Sequence, residues 1–310
     1  MNKFIKQLLC DNERKKFKKQ AEAQPVVMKK YPDVYQISNV YYGHGFGDLE
    51  VGQELEANPN YRMDVFYDNK DRVKHPIIIS IHGGGLMTGS KEFNYPMCLE
   101  FASRGYLVYA LEYPKIPEHT IDEMLEAVIV AINTIVYSAP YMGGDIANVF
   151  IVGDSAGALL SVYATAIIHN PKLAEAFGLL MDLSKIHIRA LGLISGLYYT
   201  ASFDFYGLFY RALLYGKDSG HNVLKKYRNP ETSEVISTLP PCILITCEKD
   251  ILKKNSIAFY KALKRNGIQC ELHPYSDPEL VHDFPLFQCD WPEAGFAFDR
   301  INDFFWLCRE

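Results

Sequence analysis

The stretch NVFIVGDSAGALLSVYATAIIH, Asn148 to His169, runs from an unbroken apolar segment through a small-residue turn into a second long apolar segment. Asn148–Gly153 predicts a strand buried on both faces, because a half-exposed strand would alternate with polar residues. A helix is expected from there to about His169. The turn between them is GDSAG, Gly153–Gly157. A serine hydroxyl is a weak nucleophile unless it is exposed beside a base. A tight strand-to-helix turn lifts the side chain off the sheet and needs small neighbours, here Gly153, Ala156 and Gly157. The start of the helix then aims free N–H groups and a positive dipole end at the same spot. Asp154, Ser155 and two glycines inside the apolar run argue against a membrane span.

Working outward, strands alternate with helices. Tyr61–Tyr67 alternates with period two, while Pro76–Ile81, Tyr106–Tyr113, Ile188–Ser195 and Cys242–Cys247 are continuous apolar runs that predict buried strands. Ile268–Tyr275 reads as a strand nearer an edge. Thr120 with Glu123 forms a capping-box start for a helix to Tyr137. Asn255–Gly267 and Ala294–Cys308 predict two further helices. The alternation implies one mostly parallel sheet covered on both faces. Two segments stand outside it: residues 1–45, a basic N-terminal or cap segment, and an aromatic-rich insertion at about 196–239 within the 46–310 domain. Ligands bind at the strand C-terminal ends of such sheets, so the insertion is expected to cap that end.

Directly after the Pro76–Ile81 strand comes HGGG, His82–Gly85. Consecutive glycines are costly to order, so the stretch needs a reason. Acyl transfer supplies one: negative charge develops on the carbonyl oxygen, and removing one backbone N–H donor costs about 10²–10³ in rate. Gly83 and Gly84 are the expected donors, with Ala156 from the nucleophile turn as the third. His82 reads as a residue that orders the loop. No G-K-[ST] follows, which argues against a phosphate cradle. The acid should follow Ser155 in the chain and the histidine should follow the acid. His169, His187 and His273 fall in or beside elements, and His221 lies in the expected cap. His282 lies in a loop between the last strand and the terminal helix. Asp250, just past the Cys242–Cys247 strand, is the expected acid. Asp283 is its rival, although adjacent residues seldom point at one another.

Composition excludes several function classes. The chain has 310 residues, 48% hydrophobic and 22% charged, with a formal net charge of -5, so nothing asks for a polyanionic partner. Basic charge gathers at the start, where residues 1–30 hold nine Lys/Arg against three Asp/Glu, centred on Glu13–Gln20. Seven scattered cysteines without C-x-x-C give neither zinc-ligand spacing nor a disulfide framework, and reduced thiols in a cytoplasm fit best. The first residues lack a long enough apolar run for a signal peptide.

HGGG at His82–Gly85, GDSAG at Gly153–Gly157 and EYPKIPEHT at Glu112–Thr120, with Tyr113, Pro117, Glu118 and His119, together resemble the hormone-sensitive-lipase-like branch of the α/β-hydrolases over most of residues 60–305. Asp250–Leu252 and His282–Phe284 fall where that family keeps its acid and base. The resemblance implies an α/β-hydrolase fold with a helical cap, a Ser155–His282–Asp250 triad and an oxyanion hole from Gly83, Gly84 and Ala156. It also implies carboxylesterase activity without metal or cofactor. Glu112 stands where the family often has Asp, and Asp283 replaces a common glycine. Short to medium acyl esters are the expected substrates. A peptidase or amidase on the same fold and a non-catalytic small-molecule binding protein are the alternatives. The expected partner is a small-molecule ester, with neither nucleic acid nor stable membrane insertion, and a homo-oligomer stays open.

Overall fold

The computed structural model describes residues 7, 10–12, 14, 15, 30–43, 58–68, 74–179, 181–203, 205–215 and 222–310. Most of the basic N-terminal stretch, and His221, lie outside the described residues. Eight strands form one sheet in the order β1-β2-β4-β3-β5-β6-β7-β8. They are β1 (Val34–Tyr41), β2 (Arg62–Asp68), β3 (His75–Ile81), β4 (Leu107–Leu111), β5 (Gly144–Asp154), β6 (Ile188–Ile194), β7 (Cys242–Cys247) and β8 (Cys270–Tyr275). β1 and β2, and β2 and β4, pair antiparallel; every pairing from β4 through β8 is parallel.

Period-two alternation divides the core. On β3, Ile77, Ile79 and Ile81 enter one apolar cluster, and Ile78 enters the other. The first cluster takes helices α1 (Ile121–Ser138), α2 (Ala156–His169) and α3 (Lys253–Arg265). Helices Tyr95–Ser103 and Pro292–Leu307 cover the second face. Each Ile or Phe so buried stabilises the fold by about 1.5–3 kcal/mol relative to exposure. The capping box on α1 is present, with the Thr120 hydroxyl accepting from the Glu123 N–H. The segment Ile121–Met142 is long and apolar enough to cross a membrane by length and composition, and 67% of its most apolar 18-residue window is buried within the fold. All seven cysteines are free thiols.

β1 lies inside the stretch expected to stand apart from the sheet. Its half-exposed sequence VYQISNVY makes an edge strand, whose single packed face leaves no continuous apolar run to read. The helix Tyr95–Ser103 was likewise not evident, because it is buried almost all round and shows little amphipathic contrast.

The chain runs from β3 to β4 on one side, then crosses back to β5 on the other. The crevice at such a reversal, beyond the strand carboxyl ends, is where sheets of this kind take ligands. HGGG follows β3 and GDSAG follows β5, so both motifs flank that crevice.

Candidate active site

Ser155 sits between β5 and α2 with φ 48° and ψ −115°. A non-glycine residue held there stores about 1–3 kcal/mol of strain. The surroundings hold it in place: its N–H donates to the Ile194 carbonyl at 2.8 Å, and its carbonyl accepts from the Leu197 N–H at 2.9 Å. Gly157 lies so close to the end of β3 that a Cβ there would meet the Ile81 carbonyl oxygen at 2.0 Å. A small residue at Gly157 is thus required by the close approach of the helix start to the end of β3 as well as by the turn itself.

His282 Nε2 lies 2.9 Å from Ser155 Oγ, and His282 Nδ1 lies 2.6 Å from Asp250 Oδ1. The serine, histidine and aspartate come from three loops at the carboxyl ends of β5, β8 and β7. Asp250 is anchored twice more, by the Thr246 hydroxyl at 2.6 Å and the Leu252 N–H at 2.8 Å. Burial alone would raise this carboxyl, but donation from His282 and Thr246 outweighs it and holds the pKa below the usual value. The Cys247 thiol donates to the Val281 carbonyl at 3.3 Å, tying the histidine loop to the end of β7. His273 is spent on Glu271, and His169 bonds the Thr238 carbonyl; neither approaches Ser155.

The glycine loop requires one correction. The Gly83 N–H donates to Asp154 Oδ2 at 2.9 Å, while Asn94 donates to Oδ1 at 2.8 Å. Asp154 is buried and must take donors from its surroundings, so Gly83 anchors the loop and its N–H is not free for a substrate oxygen. Among the described residues, none accepts from the N–H groups of Gly84, Gly85 or Ala156. Those three groups are the candidate donors, and Gly85 replaces Gly83. The third glycine of HGGG was the available signal for this, and the acidic residue before the serine explains why the first is occupied.

His82 orders the loop. Its Nδ1 lies 2.7 Å from the Gly83 carbonyl oxygen and its Nε2 3.2 Å from Glu112 Oε1. Tyr113 stacks on its ring at 4.3 Å and donates to the His82 carbonyl at 2.6 Å. Glu112 also accepts from the Lys91 N–H at 3.2 Å and pairs with Lys115. Burial would raise the Glu112 carboxyl, yet His82 and Lys115 bring it down to about 2. Asp283 does not orient the imidazole through Nδ1. Its Oδ2 lies 3.1 Å from Nε2, on the serine side of the ring.

Residues 78–286 match the family described by the α/β hydrolase fold. The chain belongs to that family. A probable isoprenylcysteine α-carbonyl methylesterase of Oryza sativa subsp. japonica is 27% identical to this α/β-hydrolase over 229 residues, covering 70% of this chain and 53% of that protein. The chain therefore spans about half the length of the plant relatives it matches. Carboxylesterase NlhH of Mycobacterium tuberculosis is 25% identical over 238 residues, covering 73% of this chain and 71% of that protein. Among solved structures, esterase B from Lactobacillus rhamnosis superposes with a TM-score of 0.80 at 23% identity, covering 96% of this chain and 92% of that one. An esterase from the bacterial hormone-sensitive lipase family superposes at 0.69 with 20% identity, covering 96% and 90%. These likenesses at low identity show the fold. They agree with the kinship carried by the motifs.

Proposed function

We propose that this α/β-hydrolase is a serine carboxylesterase acting on esters of short to medium acyl chains. The observation that carries the reading is the continuous Asp250–His282–Ser155 relay at 2.6 and 2.9 Å on a strained strand-to-helix turn. In that reading His282 Nε2 takes the Ser155 proton as Oγ attacks the ester carbonyl. Asp250 fixes the tautomer and stabilises the imidazolium. The Gly84, Gly85 and Ala156 N–H groups receive the developing oxyanion. His282 then returns its proton to the departing alcohol, and water activated by the same nitrogen releases the acid. The esterase and methylesterase names of the relatives support ester over amide substrates.

The insertion at 196–239 acts as the cap of this site. The Tyr210 hydroxyl donates to the Gly85 carbonyl at 3.4 Å, and the Tyr163 hydroxyl on α2 donates to the Tyr227 carbonyl at 2.6 Å. Those two contacts, with the glycine loop and the nucleophile helix, support a cap that would bound an acyl pocket. The test is hydrolysis of p-nitrophenyl esters from acetate to long-chain acyl, with carboxyl methyl esters alongside. Wild type should peak on short chains, and Ser155→Ala should lose at least about 10³-fold while keeping its melting temperature. Ester hydrolysis surviving in the alanine variant would end the assignment.

A further inference from the structure

We propose that Asp283 is a positioning residue that keeps a proton at Nε2 of His282 in the resting site, so that the base becomes available only when the pair releases that proton. This rests on the serine-hydrolase reading above. The imidazole has a carboxyl on each nitrogen: Asp250 Oδ1 at 2.6 Å from Nδ1 and Asp283 Oδ2 at 3.1 Å from Nε2. The second of these competes directly with Ser155 Oγ, which lies 2.9 Å from the same Nε2.

The arrangement is built into the backbone. Neighbouring side chains rarely converge, but Asp283 is left-handed at φ 56° and ψ 34°, which folds the chain back so that its carboxyl reaches the ring beside it. Its N–H donates to the Ser195 hydroxyl at 3.2 Å, and its carbonyl accepts from the Leu286 N–H at 2.9 Å. The residue is only 3% exposed. Among the described residues, Oδ1 has no hydrogen-bond partner. A buried carboxylate with one oxygen unsolvated is costly, and a shared proton lowers that cost.

The other groups facing the pair add to this. Asp154 approaches from the end of β5 with His82 behind it, Asp250 from the turn after β7, and the Cys247 thiol from the end of β7. Burial pushes the Asp283 carboxyl well up. Burial also pulls His282 down, but Asp283 and Asp250 reverse that and raise it to about 9. In the resting site that proton sits on Nε2 and faces Oδ2 of Asp283. In acylation the Ser155 O–H bond breaks, Oγ bonds the carbonyl carbon and the proton moves to Nε2, which needs a free lone pair. One proton must first leave to solvent.

The experiment pairs two readouts across pH 5 to 10: kcat/KM on a short-chain ester, and the titration of His282 followed by NMR in histidine-labelled protein, its signal assigned by loss in His282→Gln. Asp283→Asn and Asp283→Gly both fit the left-handed backbone, so both should fold. The expected result is a His282 midpoint and an acid limb both lower than wild type by roughly one to three pH units, the effect of removing a neighbouring carboxylate. An unchanged His282 midpoint in both variants overturns the proposal, whatever the activity. A midpoint lowered in the variants, with no ester hydrolysed by wild type or variant, would keep the proton on the pair and end the carboxylesterase reading instead.

Discussion

At Gly84 a single atom decides between loop and clash. The residue has φ 107°, and a Cβ there would lie 2.2 Å from the Thr88 carbonyl oxygen. No side chain at Thr88 can move aside to relieve this, because the obstacle is backbone. Gly84→Ala should therefore cost about 1–3 kcal/mol in stability from strain. It should also cost about 10²–10³ in kcat/KM, as the N–H donors shift from the oxyanion position. Urea midpoints and ester kinetics read the two separately. Gly178→Ala is the control: it is left-handed at φ 71° with nothing within 4 Å of the added methyl, so it reports the backbone cost alone. Full activity in Gly84→Ala would remove the loop from the chemistry. Ser155 and Asp250 were legible as candidates because each follows a strand whose apolar run marks its end, and His282 because it lies in the loop between the last strand and the terminal helix. The occupied Gly83 N–H was not, since it depends on Asp154, 71 residues away. The approach of Asp283 to Nε2 was hidden too, because it follows from a backbone turn that no residue pattern announces.

Elements in this fold are legible where burial is two-sided or amphipathic, and obscure where neither pattern holds. β3, β5 and β7 read directly from their apolar runs. β1 did not, for it is an edge strand with mixed exposure. Arg14, within the basic N-terminal stretch, has a structural task of its own. Arg14 donates through Nε to the Met87 carbonyl at 2.8 Å and through Nη2 to the Ile116 carbonyl at 3.2 Å, and pairs with Glu118 through both Nη atoms at 2.8 and 2.6 Å. One guanidinium thus joins the N-terminal region to the glycine loop and to the segment after Tyr113. The ion pair is half-exposed, so its own coupling should be below about 1 kcal/mol. The two carbonyls matter more, because Arg14→Gln leaves them short of donors at about 1–3 kcal/mol. A double-mutant cycle with Glu118→Gln, read by urea unfolding, should give a small coupling energy and a larger single-mutant cost for Arg14. Equal costs for both single variants would assign the role to the ion pair instead.

For the whole molecule, the buried charges around the crevice set how the fold responds to acid. Glu112 is the clearest case, because it joins the end of β4 to His82, to Lys115 and to the Lys91 N–H. The Tyr42 hydroxyl donates to its carbonyl at 2.6 Å, so the same residue also reaches the chain just after β1. Burial opposes its charge, yet its partners lower it from 4.5 to about 2. A carboxyl with a depressed folded pKa binds its proton more readily in the unfolded chain, so stability rises with pH between the two values. The contribution is fully present above about pH 5, on the order of 3 kcal/mol, and is lost as pH falls toward 2. Glu112→Gln keeps the shape and removes the charge, leaving Lys115 without its counter-ion. Its urea midpoint should lie well below wild type at pH 7, and the gap should narrow steadily between pH 5 and 3 as wild type loses the same charge by protonation. Other carboxyls titrate alike in both proteins, so the difference isolates Glu112. A gap that stays constant across that range would mean the residue acts through packing and not through its charge.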